Sequence, residues 1–368
     1  MMHNLKKKIK SYIKSYIKNY IDERFCHYVL NNIPGSIKSI TNDLSQANGL
    51  AFLPHEAWIS YNIKNIMAQF ASDRINVMAS AHLPSSPDRF NLSSKLSTQQ
   101  DMESDWCRHW LSELHIPFCY HRKNWELGFV LQVLHEHDMF GKKGLGLACG
   151  NELLPSYLTA RGCQITAGDK PLDCGDIEQK GWSETAQYTK SKESLYYAYL
   201  VDRDIFEANF TLAYIDMNYL PPDLNNTFDF CWSICAMEHL GSIRNGLDFL
   251  KNTLKLLKPG GISIHTTEFN IYSENETIDN CGSVLFQKKH FEKLSEIINK
   301  GGDRLYPINF DLGDGLFDRY VDMPLYPRQK IMGINDRVHT TYLCPHIKLL
   351  VGGFPATCAG VILQKNKE

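Results

Sequence analysis

The chain has 368 residues, with 41 acidic and 39 basic side chains and a formal net charge of −2 at pH 7. This length is enough for an α/β core and an additional region, and the near-neutral charge argues against a protein that coats nucleic acid. The sequence contains no run of eighteen apolar residues, so no membrane span is predicted. The basic N-terminus lacks the apolar core of a secretory signal. The eleven cysteines contain no C-x-x-C pair, which indicates core thiols in a reducing cytoplasm.

The N-terminal part, residues 1–105, is predicted to be a mainly helical extension of a domain that covers 106–368. From Leu5 to Phe25, Ile and Tyr recur at steps of three and four and lysines cover the remaining surface, which predicts a basic amphipathic helix. Such a helix can make peripheral contact with the inner face of a membrane. The alternative, which its tyrosine-rich face favours, is packing on its own domain or in a dimer.

Between residues 57 and 138, the sequence predicts helices separated by loops. Residues 57–71, 106–113 and 125–137 have helical patterns, whereas Asn91 to Gln100 is polar and predicts a loop. The His135 to Asp138 run invites a metal interpretation, but zinc-binding pairs on helices stand four residues apart. We expect a solvated helix end there and no metal site.

The segment from Gly144 to Pro171 predicts a strand, a tight turn, a helix and a second strand. The strands are Leu145–Cys149 and Cys163–Ala167, the helix is Asn151–Arg161, and Asp169 follows the second strand. Ligands of open α/β sheets lie beyond the carboxyl ends of the strands, where helix N–H groups and an acid can hold a nucleotide. This segment therefore predicts a cofactor that contains a nucleoside.

The turn itself discriminates between cofactors. A dinucleotide fingerprint requires glycines here, but this chain places Glu152 where a glycine would approach the diphosphate. A carboxylate repels a diphosphate and attracts an ammonium group, which favours S-adenosyl-L-methionine over NAD. The alternative for Glu152 is an acid that stabilises the first turn of the helix.

Downstream, the pattern continues as strands and helices in alternation. The predicted strands are 210–215, 228–235, 261–269, 307–312 and 356–364, and the predicted helices are 246–257 and 289–298. Lys258 to Gly261 has Pro and Gly at the positions of a type II turn.

Four motifs stand in register along this part of the chain: GLGLACGNE, YIDMN, FDFCWSICAMEHL and LKPGGISIHTTEFN. In order and spacing they resemble class I S-adenosylmethionine-dependent methyltransferases, and more narrowly bacterial methyltransferase-like proteins of surface-polysaccharide and glycosylation gene sets. The resemblance covers Trp106 to the C-terminus. It implies a doubly wound, Rossmann-like sheet of seven strands closed by an antiparallel hairpin. Gly146 departs from the family pattern, which has an acid there, and Ala148 and Glu152 replace two glycines.

The resemblance also implies a set of cofactor contacts. Asp169 matches the ribose-binding acid, and Asp216 matches the position that binds the adenine amino group, with an Asx turn as the alternative for Asp216. The expected cofactor-binding residues are Leu147, Ala148, Cys149, Gly150, Glu152, Asp169, Lys170, Asp216, Met217 and Ser233.

Methyl transfer needs a base that projects from the carboxyl ends of the strands. His239, His265 and Glu238 are the candidates; the alternative for the Glu238-His239 pair is packing or orientation of the cofactor. The expected function is an enzyme that O-methylates a hydroxyl of a sugar, a glycan precursor or another small molecule. The alternatives are a non-catalytic binding protein of the same fold and an RNA methyltransferase, which would need a clustered basic face.

Overall fold

The computed structural model describes residues 55–79, 82–171, 188–323, 328–332, 338–342 and 344–367. The amphipathic segment from Leu5 to Phe25 lies outside them. Among the described helices, none has the length and apolar character needed to cross a bilayer.

Eight α-helices are described; two of them, 99–103 and 203–209, were not predicted, and the helix predicted to end at residue 71 continues to Ala79. The eight are α1 (His55–Ala79), α2 (Gln99–Glu103), α3 (Asp105–Glu113), α4 (Arg122–Glu136), α5 (Leu154–Ala160), α6 (Arg203–Asn209), α7 (Ile243–Leu256) and α8 (Lys288–Lys300). Local chemistry sets the ends: at α7, the Ser242 hydroxyl accepts a hydrogen bond from Asn245 N at 3.1 Å and caps the helix. The helix predicted at 151–161 is shorter, because it begins only at Leu154.

Thirteen strands are described. They are β1 (Ser94–Leu96), β2 (Lys143–Leu147), β3 (Gln164–Gly168), β4 (Phe210–Leu212), β5 (Phe228–Ile234), β6 (Leu257–Asn270), β7 (Arg304–Leu305), β8 (Ile308–Asn309), β9 (Val321–Asp322), β10 (Arg328–Met332), β11 (Val338–Tyr342), β12 (Lys348–Val351) and β13 (Phe354–Gln364).

The central sheet runs in the order β4-β3-β2-β5-β6-β13. The first five strands are parallel, and β13 is antiparallel to β6. Strand order reverses between β2 and β5, which creates the crevice where open α/β sheets bind ligands. The predicted doubly wound α/β fold is therefore confirmed, with an antiparallel strand after the fifth parallel one.

Two features of the sheet differ from expectation. It contains eleven strands instead of seven, since short strands extend it beyond β13. One of these is β1, where Lys95 pairs with Gly360 of β13 and with Asn309 of β8. The predicted polar loop at 91–100 is thus partly a sheet strand, and the sheet begins before the expected boundary at residue 105.

The predicted turn at 258–261 lies inside strand β6. Gly260 has a φ of +80°, and its N–H approaches the carbonyls of Lys365 and Asn366 at 3.1 Å. Along β5, Phe228 pairs with Leu257 and Phe230 pairs with Ile262, so residues 258–261 bulge out of the pairing with β5. The predicted turn is therefore present as an irregularity in which Gly260 takes the left-handed conformation.

The sheet separates two apolar layers, and side-chain alternation along β5 shows how. Phe230 and Trp232 pack with α4 and α5 on one face, whereas Cys231 packs with α7 and α8 on the other. Both faces are covered by helices, which explains why most side chains of the parallel strands are buried.

Candidate functional site

A cavity of about 460 Å³ opens at the carboxyl ends of β2, β3 and β5, at the reversal of strand order. Nine predicted residues line it: Ala148, Cys149, Gly150, Glu152, Asp169, Lys170, Asp216, Met217 and His239. The lining residues that sequence reasoning missed are Lys123, Asn151, Ile215, Asn218, Ile234, Cys235, Ala236, Leu240 and Gly241.

The turn after β2 is braced by Asp169. Its Oδ2 accepts hydrogen bonds from Gly150 N at 3.0 Å and Thr189 N at 2.8 Å, and the Thr189 hydroxyl donates to the Gly150 carbonyl. Burial raises the pKa of the Asp169 carboxyl, while the hydrogen bonds from Thr189 and Gly150 act in the opposite direction. Asp169 therefore fixes the backbone that faces the cavity and also lines the cavity itself.

Glu152 is held against the sheet by an aromatic donor. Trp232 Nε1 donates to Glu152 Oε1 at 2.6 Å. Burial raises the pKa of the Glu152 carboxyl to about 7, although the bond from Trp232 works against this shift. Because α5 begins at Leu154 and has no side-chain cap, Glu152 does not act as the capping acid that was its alternative role.

The same tryptophan explains the departure at Gly146. A Cβ on Gly146 would lie 2.5 Å from both Trp232 Cζ2 and Cys149 Sγ. No acid fits at the end of β2 while the indole occupies this space. Glu152, six residues later, does have its carboxyl group in the cavity lining, where it accepts a hydrogen bond from the same Trp232 indole.

Asp216 forms the Asx turn that was its alternative role. Its Oδ1 accepts a hydrogen bond from Asn218 N at 2.8 Å. Asp216 lies four residues after Leu212, where β4 ends. The residue also lines the cavity, next to the buried Met217. The Asx turn therefore places the Asp216 carboxyl at the cavity wall.

His239 lies at the end of a single 3₁₀ turn after β5 and borders the cavity. Its Nδ1 is 2.9 Å from the Gly282 carbonyl oxygen, which can only accept a hydrogen bond. Nδ1–H therefore donates in this contact, and Nε2 is the ring nitrogen that can act as a proton acceptor.

The structure argues against His265 as a base. The ring is fully buried, with Nδ1 at 2.7 Å from Ser233 Oγ and Nε2 at 2.5 Å from Ser263 Oγ. Burial lowers the pKa of His265 to about 3. The residue lies five positions before the end of β6 on the face that packs against Phe249 of α7, so it does not reach the strand end.

Three other predicted residues also lie outside the cavity lining. Ser233 pairs in register with His265 and is buried with it. Glu238 is buried and accepts a hydrogen bond from Thr267 Oγ1 at 3.0 Å, and Leu147 is a core residue of β2. Ser233 and Leu147 are thus enclosed within the sheet, whereas Glu238 is close enough to the cavity residues Lys123 and Cys235 to interact with them electrostatically.

Two missed residues are polar and lie near Glu152. Lys123 is in the first turn of α4, with Nζ 3.6 Å from Glu126 Oε2. Asn151 Oδ1 is buried and accepts no hydrogen bond from any described residue. The sequence could have indicated Lys123, because a lysine stands at the start of the helix before β2. The position of Asn151 depends on the local turn and has no sequence signature.

No protein-family model and no curated protein matches the sequence. Among solved structures, the chain is similar to an S-adenosylmethionine-dependent methyltransferase from Methanosarcina mazei, with 12% identity, a TM-score of 0.33 and coverage of 64% of this chain and 98% of that one. A methyltransferase of this type from Aquifex aeolicus has 15% identity, a TM-score of 0.30 and coverage of 64% and 88%. One from Mesorhizobium loti has 10% identity, a TM-score of 0.31 and coverage of 61% and 91%. Values in this range do not assign an activity.

Proposed function

We propose that the protein is an S-adenosylmethionine-dependent methyltransferase of class I. The observation that carries this proposal is the cavity at the switch point, which collects Glu152, Asp169 and Asp216 around one space of about 460 Å³. That volume is in the range of small-molecule sites. Each carboxyl follows a different element of the sheet, so the three can contact separate parts of one extended ligand.

The methionine end of the donor fits the polar groups near the first turn. Glu152 supplies a carboxylate for the α-ammonium group, and the unpaired Asn151 Oδ1 supplies a second acceptor for it. Lys123 lines the same cavity and supplies a cation for the carboxylate of the donor. A diphosphate would meet Glu152 at this place, which disfavours a dinucleotide.

The nucleoside end fits the carboxyls at β3 and β4. Asp169 faces the cavity beside the turn, where it can accept hydrogen bonds from ribose hydroxyls, and Asp216 can accept one from the adenine amino group. The donor, when bound, supplies an activated methyl group for an in-line displacement.

This chain's contribution to the transfer is positioning and proton removal. His239 Nε2 accepts the proton of the acceptor hydroxyl, while Nδ1 stays anchored to the Gly282 carbonyl. The proposed acceptor is a hydroxyl of a sugar or glycan precursor; the polysaccharide gene-set resemblance supports this substrate class. The part of the predicted extension that precedes strand β1 is proposed to serve the acceptor or a membrane surface.

Calorimetry with S-adenosylhomocysteine tests the donor assignment, and NAD is the matched control. We expect saturable binding of the former and none of the latter, because Glu152 pairs with an ammonium group. A labelled-methyl screen on nucleotide sugars and glycans then tests turnover. Binding without transfer to any acceptor would favour the non-catalytic alternative, and NAD binding alone would refute the proposal.

Replacing Asp216 with alanine is expected to weaken S-adenosylhomocysteine binding by about 1–3 kcal/mol, the cost of leaving the adenine amino group of the bound ligand without its acceptor. Asp223→Ala is the control, because Asp223 is exposed on the following 3₁₀ turn and does not line the cavity. Calorimetry on both variants measures the difference. Equal affinities would mean that the adenine amino group binds elsewhere.

A further inference from the structure

Two thiols and a carboxylate meet beside the cavity, outside the groups that the proposed methyl transfer uses. They are Glu126 of α4, Cys235 at the end of β5 and Cys358 of β13. Their ligand atoms all lie within 4.8 Å of one another. Glu126 and Cys358 are fully buried, whereas Cys235 borders the cavity.

Rigid elements hold this cluster in place. Glu126 Oε2 accepts a hydrogen bond from Thr266 Oγ1 at 2.9 Å, and Cys235 N lies 3.0 Å from the Thr266 carbonyl. Cys235 has a φ of +44°, a left-handed conformation that is uncommon for a residue with a side chain. Three separate core elements therefore converge on one point, as the ligands of a metal site do.

We propose that Glu126, Cys235 and Cys358 form a Zn²⁺ site beside the cavity, with the fourth coordination position reached from the cavity side. Thiolate and carboxylate are zinc ligands, and three protein ligands with one open position are typical of catalytic zinc. A ligand spacing below 4.8 Å needs only a small contraction to reach tetrahedral coordination.

Charge balance is compatible with the ion. Arg122 and Lys123 supply two positive charges, and Glu126, Glu268 and Glu238 supply three negative ones, so the surroundings carry one excess negative charge when both thiols are protonated. Exchange of two thiol protons for one divalent cation leaves this net charge unchanged. Arg122 competes with the metal ion for two of the ligands, since it donates to Cys235 Sγ at 3.0 Å and to Glu126 Oε1 at 3.3 Å. When the metal ion replaces these two hydrogen bonds, Arg122 keeps its ion pair with Glu268.

Titration of Co²⁺ into the reduced, metal-stripped full-length protein tests the site, independently of methyl-donor binding. We expect one equivalent to produce a thiolate-to-cobalt charge-transfer band and the visible spectrum of a tetrahedral ion, and Zn²⁺ to displace it. Cys235→Ser and Cys358→Ser should each weaken the band at least severalfold. Glu126→Gln should weaken Co²⁺ affinity while leaving the thiolate band measurable.

Cys231→Ser is the matched control, because Cys231 is a buried thiol that contacts Ser263 and lies outside the cluster. Its cobalt spectrum should equal that of the unsubstituted protein. A protein with no thiolate band, or with a band that survives in both Cys235→Ser and Cys358→Ser, would overturn the proposal. Since the unsubstituted protein decides the first outcome, misfolding of a variant does not obscure it.

Discussion

Glu152→Gln is expected to weaken S-adenosylhomocysteine binding roughly thirtyfold at pH 8, about 2 kcal/mol, because hydrogen bonds to charged groups are worth about 1.5–3 kcal/mol. The ligand keeps the α-ammonium group of the donor, and in the proposed complex that group pairs with the Glu152 carboxylate. Glutamine preserves the shape and the acceptor for Trp232 Nε1 but removes the charge.

The same pairing predicts a pH dependence with a defined sign. The folded protein holds the pKa of Glu152 at about 7, above its usual 4.5, so the carboxyl is mostly protonated at pH 6. Only the ionised form attracts an ammonium group. Affinity should therefore rise from pH 6 to pH 8, and binding near pH 7 should release a proton, which calorimetry in buffers of different ionisation enthalpy measures.

The ligand-free protein supplies a second readout. Because the folded pKa of Glu152 exceeds the unfolded one, this group favours folding when protonated, and its contribution to the free energy of unfolding decreases as pH rises from 4.5 to about 7. In Glu152→Gln, that component of the Tm-against-pH profile should vanish. Glu113→Gln is the control, since Glu113 contacts Tyr157 and Arg161 away from the cavity. Unchanged ligand affinity in Glu152→Gln would remove this residue from the ammonium site.

The fold was predictable where local pattern and global packing agree. The parallel strands supply apolar side chains that helices cover on both faces of the sheet, and α7 has a stripe of Leu and Phe side chains that begins after a serine cap. Strand β1 had no such pattern. Its three residues become a strand only because β13 and β8 offer hydrogen-bonding partners far away in the chain.

The candidate site was predictable in its position but less so in its side chains. Strand ends fix which backbone segments meet, and nine predicted residues lie together there. Which of the predicted side chains reach the cavity depends on the direction in which each one points. His265 lies inside a strand that continues to Asn270, so its ring is buried in the core. The absence of an acid at Gly146 likewise depends on Trp232 from the neighbouring strand, a contact that no local pattern contains.

Conversion of His239 to alanine is expected to have the largest effect on turnover. If Nε2 accepts the acceptor proton, kcat should fall roughly a hundredfold or more, the usual contribution of a positioned general base. The Kd for S-adenosylhomocysteine should change little, because the carboxyls at the other strand ends hold the ligand. Single-turnover methyl transfer at saturating acceptor, together with calorimetry, separates the two quantities.

The pH profile distinguishes proton transfer from packing. Only a neutral imidazole accepts a proton, so the rate of the unsubstituted enzyme should decrease on acidification, and this decrease should be absent from the residual rate of His239→Ala. The exposed His82 does not line the cavity, so His82→Ala should retain both rate and profile. If His239 instead packs beneath the cofactor, the substitution will weaken S-adenosylhomocysteine binding and lower the Tm while the acid limb persists. That result would leave proton removal to another cavity residue, because both nitrogens of His265 are already hydrogen-bonded to serines inside the core.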